Sequence, residues 1–209
     1  SFPAPIKFKR VEYHRSAWSF IMQTYDVVIV GAGISGIGSA CHLQSNCPEK
    51  TFAILESREE IGGTWDLFRY PGIRSDSDMH TLGFNFKPWA HAKSIANGPS
   101  IKKYLLETIT EHKLTQHIQH QVKVVSANWS TADSCWIVEA LREGESITFS
   151  CNFLMMCSGY YNYEVPFKPD FKDEAVYKGR LVHPQLWPDG LDYKDKRIVI
   201  IGSGATAMT

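Results

Sequence analysis

Hydrophobic residues fall along this chain in short runs of two kinds. Tyr25–Val30 and Thr51–Leu55 are compact, mostly apolar and rich in Val and Ile, and the first ends at Gly31. Runs of this length and content predict strands buried on both faces of a parallel sheet. Between them Gly36–Leu43 carries small residues and predicts a helix lying close to its sheet. Pro99–His112 places Ile101, Tyr104, Leu105 and Ile109 along one helical face. Lys123–Trp129, Cys135–Leu141 and Ile147–Met156 alternate in polarity with turn residues between them, which predicts an antiparallel meander. Arg197–Ile201 is again continuous and apolar and leads into Gly202, so it predicts another buried strand. Strands alternating with helices put the chain in the α/β class.

The intervening stretches are less regular. Ser57–Gly98 is dense in Gly, Pro, Asp and aromatics and has no period. A loop of that length in a compact domain is usually functional. Tyr160–Tyr193 is polar and rich in Pro and aromatics, and reads as a linker. Ser1–Ile21 is basic, contains Pro, and lacks the apolar centre of a secretory signal. Met22 is the expected natural start, with a short ordered extension as the alternative. Thr209 falls one turn into a helix, so the chain is expected to be truncated. The expected division is an extension at 1–21, a first domain at 22–160, a linker at 161–196 and the start of a second domain at 197–209.

Composition narrows the function. With 209 residues, 44% of them hydrophobic, the chain can build one solid core or one domain plus pieces of a second. Lys+Arg and Asp+Glu are 22 each, and the net charge of +0 argues against nucleic acid and anionic lipid as partners. No run approaches the ~18 apolar residues of a membrane helix. The 5 cysteines are odd in number and form no C-x-x-C pair. They are expected to be reduced and mostly buried in a cytoplasmic protein, and no metal site is expected.

Two glycine motifs carry the chemistry. Gly31-Ala32-Gly33-Ile34-Ser35-Gly36 is G-x-G-x-x-G between a predicted strand and a predicted helix. Gly31 permits the tight turn, Gly33 lets the backbone approach a pyrophosphate, and Gly36 lets helix pack on strand. The helix N-terminus then offers unpaired N–H groups to the phosphates. Glu56 follows the second strand, where an acid accepts from ribose hydroxyls and repels a 2′-phosphate. This site should hold FAD or NAD. Gly202-Ser203-Gly204-Ala205-Thr206-Ala207 repeats the pattern with Ala in third place. Two dinucleotide sites imply an electron relay from a nicotinamide to a flavin.

Tyr177-Lys178-Gly179-Arg180-Leu181-Val182-His183-Pro184-Gln185-Leu186-Trp187-Pro188 lies between the two motifs. It resembles the F-x-G-x-x-x-H-x-x-x-W-P fingerprint of Baeyer–Villiger monooxygenases, class B flavoproteins, with Tyr177 for the usual Phe. Gly62–Asp66 and Tyr70–Asp76 resemble that family's flavin-contacting loops, and Gly63–Trp89 is similar to its ethionamide-activating subgroup. The resemblance implies a Rossmann-like FAD-binding domain with an inserted antiparallel β-meander, followed by the truncated start of a second Rossmann-like, NADP-binding domain. It implies FAD and NADPH as cofactors. It assigns Gly31, Gly33, Ser35 and Gly36 to the FAD pyrophosphate, Glu56 to the ribose and Val124 to the adenine through its backbone. Gly63, Thr64, Trp65 and Asp66 would line the flavin. Arg74, Ser75 and Asp76 would lie between flavin and nicotinamide, with Asp76 catalytic beside an Arg outside this sequence. His183 and Trp187 would belong to a hinge linker, and Gly202, Ser203, Gly204, Ala205, Thr206 and Ala207 would bind the NADPH pyrophosphate.

The implied reaction passes hydride from NADPH to FAD. One atom of molecular oxygen then goes to a ketone, or to a soft sulfur or nitrogen as in thioethers and thioamides. Plainer readings stand beside these. Trp65 and Trp89 could be core aromatics, Asp76 a turn residue like its neighbour Asp78, and His183 a surface residue that touches nothing. A pyridine-nucleotide disulfide reductase also carries two such motifs, but needs a redox cysteine pair that is absent here. A fragment that binds FAD without catalysis, or does not fold, is the other alternative.

Overall fold

The computed structural model describes residues 22–209, and the expectation for residues 1–21 lies outside the described residues. The chain divides into two compact units. Of the described residues, a sheet unit takes in 22–63 and Lys103–Gly159, and a loop unit takes in Thr64–Lys102 and Tyr160–Thr209.

The sheet unit is organised around β1 (Gln23–Val30). Helix α1 (Ile34–Asn46) follows it and leads to β2 (Phe52–Leu55), which pairs parallel with β1. Short β3 (Ile118–Gln119) adds to β2, and β4 (Val122–Ser130), β5 (Cys135–Arg142) and β6 (Glu145–Met156) form the expected meander. All belong to one 6-stranded sheet in the order β3-β2-β1-β6-β5-β4.

Strand β6 explains how an antiparallel meander joins a parallel sheet. Its 12 residues pair antiparallel with β5 over Glu145–Cys151 and parallel with β1 over Phe149–Met156. Phe149 is held on both sides, opposite Gln23 and Val138, and is fully buried. Removing such a ring typically costs about 3–5 kcal/mol.

The period-2 alternation of β1 sets the two faces. Val28 and Val30 pack with Ala53 and Leu55 and with Val122, Ala127, Val138 and Ala140, so the meander closes over this face. Ile29 points the other way, where Gly36 of α1 lies over its side chain.

Helix α4 (Gly98–Glu111) forms where the 3.6 period predicts it, with Ile101, Tyr104, Leu105 and Ile109 buried. The aperiodic stretch before it is ordered by polar contacts. Helix α2 (Thr64–Leu67) and helix α3 (Met79–Leu82) are single turns, and Asp78 caps α3 by accepting from the His80 and Thr81 amides. Those bonds, the Thr81 amide foremost, hold the Asp78 carboxyl below its usual pKa.

One expectation fails. Arg197–Ile201 forms no strand, and Ile198, Val199, Ile200 and Ile201 are 58%, 85%, 67% and 68% exposed. A parallel strand needs neighbours to accept its hydrogen bonds, and no other described segment pairs with this one. Among the described residues no helix is long and apolar enough to cross a membrane.

All five cysteines are free, but only Cys41 and Cys151 are buried; Cys47, Cys135 and Cys157 are half-exposed, which corrects the expectation that most are inside. Burial pushes the Cys41 and Cys151 thiols up to about 11. At pH 8 they are neutral and enclosed, so a thiol reagent should reach Cys47 first and leave Cys41 and Cys151 unmodified until denaturant is added. Mass mapping of the labelled native chain checks this; early labelling of Cys151 would contradict the β5–β6–β1 pairing around it.

Candidate dinucleotide site

The site in the sheet unit begins where β1 ends. Gly31 turns the chain at φ 104°, its N–H donating to the Leu55 carbonyl at 2.8 Å. A side-chain carbon at Gly31 would stand 2.5 Å from the Cys157 carbonyl oxygen, so this glycine is required by the end of β6. At Gly36 a side chain would collide with the Gly31 carbonyl, which is how α1 comes so close to the sheet.

Gly33 differs. Its φ of −81° and ψ of −172° suit any residue, and a Cβ there would meet only the Gly63 Cα at 3.9 Å. Among the described residues no other atom comes within 4 Å of that Cβ, so none requires a glycine at 33. Gly33 is also the N-cap of α1 and provides no side-chain cap, and no acidic residue occupies the first turn. Ser35 is exposed on that turn. Room beside the glycine, helix amides and a first turn without acidic residues fit the pyrophosphate of a dinucleotide.

Glu56 closes the cradle from the tip of β2. It is 5% exposed, and its carboxylate oxygens accept from the Ala32 amide at 2.8 Å and the Arg58 amide at 2.9 Å. Its own N–H donates to the Gln119 carbonyl and its carbonyl accepts from Val122. The start of β4 is therefore fixed beside it. Val124, two residues on, packs its side chain on the core, and a bulge between Val124 and Ser126 interrupts the ladder there. Gly62 donates to the Ala32 carbonyl at 3.0 Å, and Gly63 follows at φ 54°, so this loop lies against the glycine turn.

The remaining candidates belong to the loop unit. Trp65 is half-buried, whereas Trp89 is buried with its indole N–H on the Lys93 carbonyl at 2.8 Å, a structural role. Asp66 is buried with its carboxylate 2.6 Å from Lys102 Nζ. Sequence reasoning missed this partner, because Lys102 lies 36 residues on in a different helix. Ser75 is buried and exchanges bonds with Ala96, its N–H donating at 2.8 Å and its hydroxyl accepting at 3.2 Å. Arg74 and Asp76 flank it, both exposed.

His183 is not a residue that touches nothing. Its Nδ1 accepts from the Gln185 amide at 3.2 Å, and its Nε2 lies 3.1 Å from the Phe167 carbonyl, which fixes the proton on Nε2. Gln185 is buried and donates to the Asn162 carbonyl at 2.7 Å. Trp187 meets Tyr193 edge to face at 5.7 Å. The fingerprint segment is thus a clip within the loop unit.

The second glycine motif repeats the first in its backbone. Gly204 caps α5 (Ala205–Met208) at φ −80° and ψ 176°, close to the Gly33 values. Gly202 has φ 148°, and its position lies against the Ala207 methyl, as Gly31 lies against Gly36. Ser203 and Thr206 complete this turn, which no strand precedes among the described residues.

A strand, a glycine turn, an uncapped helix and an acid at the tip of the adjacent parallel strand define a dinucleotide-binding unit of the Rossmann-like class. Comparison with known proteins agrees. The model of an NAD(P)-binding Rossmann-like domain matches residues 29–97, and that of the flavin-binding monooxygenase-like family matches residues 85–209, more than half the chain. The chain belongs to the flavin-binding monooxygenase-like family.

It is 55% identical over 185 residues to the FAD-containing monooxygenase EthA of Mycolicibacterium smegmatis, and 54% identical over 184 residues to EthA of Mycobacterium tuberculosis. Each match covers 88% of this chain, which spans 38% of the relative's length. Among solved structures it is similar to an oxidized steroid monooxygenase bound to NADP, with a TM-score of 0.74 and 30% identity over 89% of this chain and 36% of that one. An open form of cyclohexanone monooxygenase gives 0.75 and 26% over 90% of this chain and 36% of that one.

Glu56 has a role in the fold that its sequence position does not reveal. Removing its carboxylate leaves the Ala32 and Arg58 amides without their acceptor, and a buried unsatisfied donor costs about 1–3 kcal/mol. Glu56→Ala should therefore lower the melting midpoint even without cofactor, and Glu56→Gln should lower it less. Calorimetry of the three cofactor-free proteins tests this, and equal midpoints would remove the carboxylate from the fold's support.

Proposed function

We propose that the chain is the dinucleotide-binding part of an FAD- and NADPH-dependent monooxygenase of the Baeyer–Villiger type. Its FAD pyrophosphate would lie on the Gly31–Gly36 turn. The observation that carries this reading is Gly33: a glycine that no atom of the described residues demands, at the uncapped end of a 13-residue helix. The names of the relatives support FAD as the occupant, and the NADP-bound neighbour supports the nicotinamide partner.

In this reading Gly31, Gly33, Ser35 and Gly36 bind the pyrophosphate through backbone amides and the Ser35 hydroxyl. Glu56, already positioned by Ala32 and Arg58, accepts from the adenosine ribose and disfavours a 2′-phosphate. The Val124 backbone, beside the bulge in β4, reaches the adenine. Gly63, Thr64 and Trp65 line the flavin, with Arg74, Ser75 and Asp76 on the nicotinamide side. Ser75 is tied into the Ala96 contact, and this leaves the flanking Arg74 and Asp76 side chains outward for chemistry. Gly202–Ala207 takes the NADPH pyrophosphate, and His183 and Trp187 set the linker.

FAD held on the Gly31–Gly36 turn would supply the redox chemistry of the reaction, in which NADPH provides the electrons, one atom of molecular oxygen goes to a ketone or a soft sulfur or nitrogen, and the other leaves as water. The protein's part is to hold the cofactors in register and keep water and stray protons away.

Gly33→Asp puts a carboxylate where the pyrophosphate would lie, and should weaken FAD uptake by about a hundredfold or more through repulsion and lost space. Flavin fluorescence titration measures this, and unchanged affinity would refute the assignment. The 209 residues alone should not consume NADPH faster than free FAD does. The residues leading into the second glycine turn are not built into a sheet, so the nicotinamide lacks a fixed position. Absorbance at the reduced nicotinamide band checks this directly.

A further inference from the structure

Glu56 brings a negative charge to a cradle read as holding a diphosphate. Its buried carboxylate accepts from the Ala32 and Arg58 amides and from the Ser57 hydroxyl at 3.3 Å. Those bonds satisfy its oxygens and leave its charge in place. Two phosphate groups add more charge of the same sign. Helix α1 answers with amides and a dipole equivalent to roughly half a unit charge, and residues 31–46 contain no Lys or Arg. The balance calls for a cation from another element.

Arg58 is placed to supply it. Its backbone is fixed on both sides, the N–H donating to Glu56 Oε1 at 2.9 Å and the carbonyl accepting from the Gln121 amide at 3.1 Å. Its half-buried side chain reaches the loop before α2, where Nη1 donates to the Gly63 carbonyl at 3.4 Å. That loop lies along the cradle. Gly62 donates to the Ala32 carbonyl at 3.0 Å, and the Gly63 Cα would stand 3.9 Å from a Cβ at Gly33. One end of Arg58 is therefore held beside the ribose acceptor, and the other beside a neighbour of the pyrophosphate glycine. Glu59 and Glu60 follow it in the chain and are exposed, where water and salt screen them.

The bond to Gly63 is long for an N–H to a carbonyl. A phosphate is the stronger partner, because it takes two guanidinium N–H groups side by side and carries charge. Arg58 has further interactions as well. The role does not require an unpaired side chain, since five donors let a guanidinium bridge several acceptors and it stays protonated throughout.

We propose that Arg58 is a phosphate-binding residue of this cradle: its guanidinium, held at Gly63, pairs with the pyrophosphate of the bound dinucleotide and offsets the charge of Glu56. This rests on the reading that the Gly31–Gly36 turn holds FAD.

The test uses the full chain as wild type, Arg58→Met and Arg58→Lys. FAD affinity is measured by flavin fluorescence over a series of KCl concentrations, and bound FAD is displaced with ADP and, separately, with adenosine. Arg58→Met should bind FAD about tenfold more weakly. Its affinity should also fall less steeply as KCl rises, because one screened charge pair is gone. The advantage of ADP over adenosine should shrink by about the same factor, since only ADP carries the phosphates. Arg58→Lys should keep the wild-type salt dependence and recover part of the affinity, having the charge without the paired donors.

A purely structural Arg58 would weaken ADP and adenosine alike and leave the salt dependence unchanged. That result overturns the proposal, as does wild-type FAD affinity in Arg58→Met. Should Arg58→Met not fold, Arg58→Gln, which keeps a donor for Gly63 and drops the charge, carries the same expectations. A wild-type chain that takes up neither FAD nor ADP overturns the functional reading and this role with it. Wild-type uptake with unaltered variants overturns the role of Arg58 alone.

Discussion

Gly31 leaves β1 at φ 104°, and a side-chain carbon there would stand 2.5 Å from the Cys157 carbonyl oxygen. Cys157 is also the residue whose N–H extends the β1–β6 ladder onto Val30, at 2.9 Å. The end of one strand and the exit of another therefore occupy nearly the same place. Only a residue without a side chain, in a conformation that other residues resist, lets both through. From this crowding follow the direction of α1, its closeness to Ile29, and the exposure of its first amides beyond the strand ends. The cradle is a consequence of how two backbones pass each other, and the ligand-facing glycine at 33 is a separate requirement laid on top.

Glu56 turns that local geometry into a property of the whole sheet unit. One oxygen holds the Ala32 amide inside the glycine turn, the other holds Arg58, and its backbone joins β3 to the start of β4. A change in the meander is thereby felt in the cradle, through the Val122 bond to the Glu56 carbonyl. The β6 strand does the same from the opposite side, because Phe149–Cys151 pairs with β5 and β1 at once. The meander read from sequence as an insertion is in structural terms a continuation of the parallel sheet.

Much of this was legible because it is written locally. The apolar runs of β1 and β2, the face of α4, the alternation of the meander and both glycine turns are encoded within windows of a few residues. Their boundaries shift only by small amounts, as α1 does in running from Ile34 to Asn46 rather than from Gly36 to Leu43. What was not legible depends on partners distant in the chain. The short β3 has no pattern of its own and exists because the Ile54–Leu55 edge accepts it. The Lys102 partner of Asp66 lies 36 residues away and leaves no local signal, and His183 reads as a bare linker residue until Phe167 and Gln185 occupy its ring nitrogens. Asp78 was given only as a turn residue, yet it caps a helix, a role its spacing from Thr81 could have revealed.

The second glycine motif separates these two kinds of information within a single stretch. Gly202–Ala207 repeats the positive φ of the first glycine and the extended backbone of the capping glycine seen in Gly31–Gly36, with an alanine in third place. That turn is specified by its own residues. The strand before it is not: Arg197–Ile201 has the apolar content of β1, yet it stays exposed, because a parallel strand is defined by the neighbours that receive its hydrogen bonds. A continuous apolar run thus states a demand for burial and leaves open who meets it.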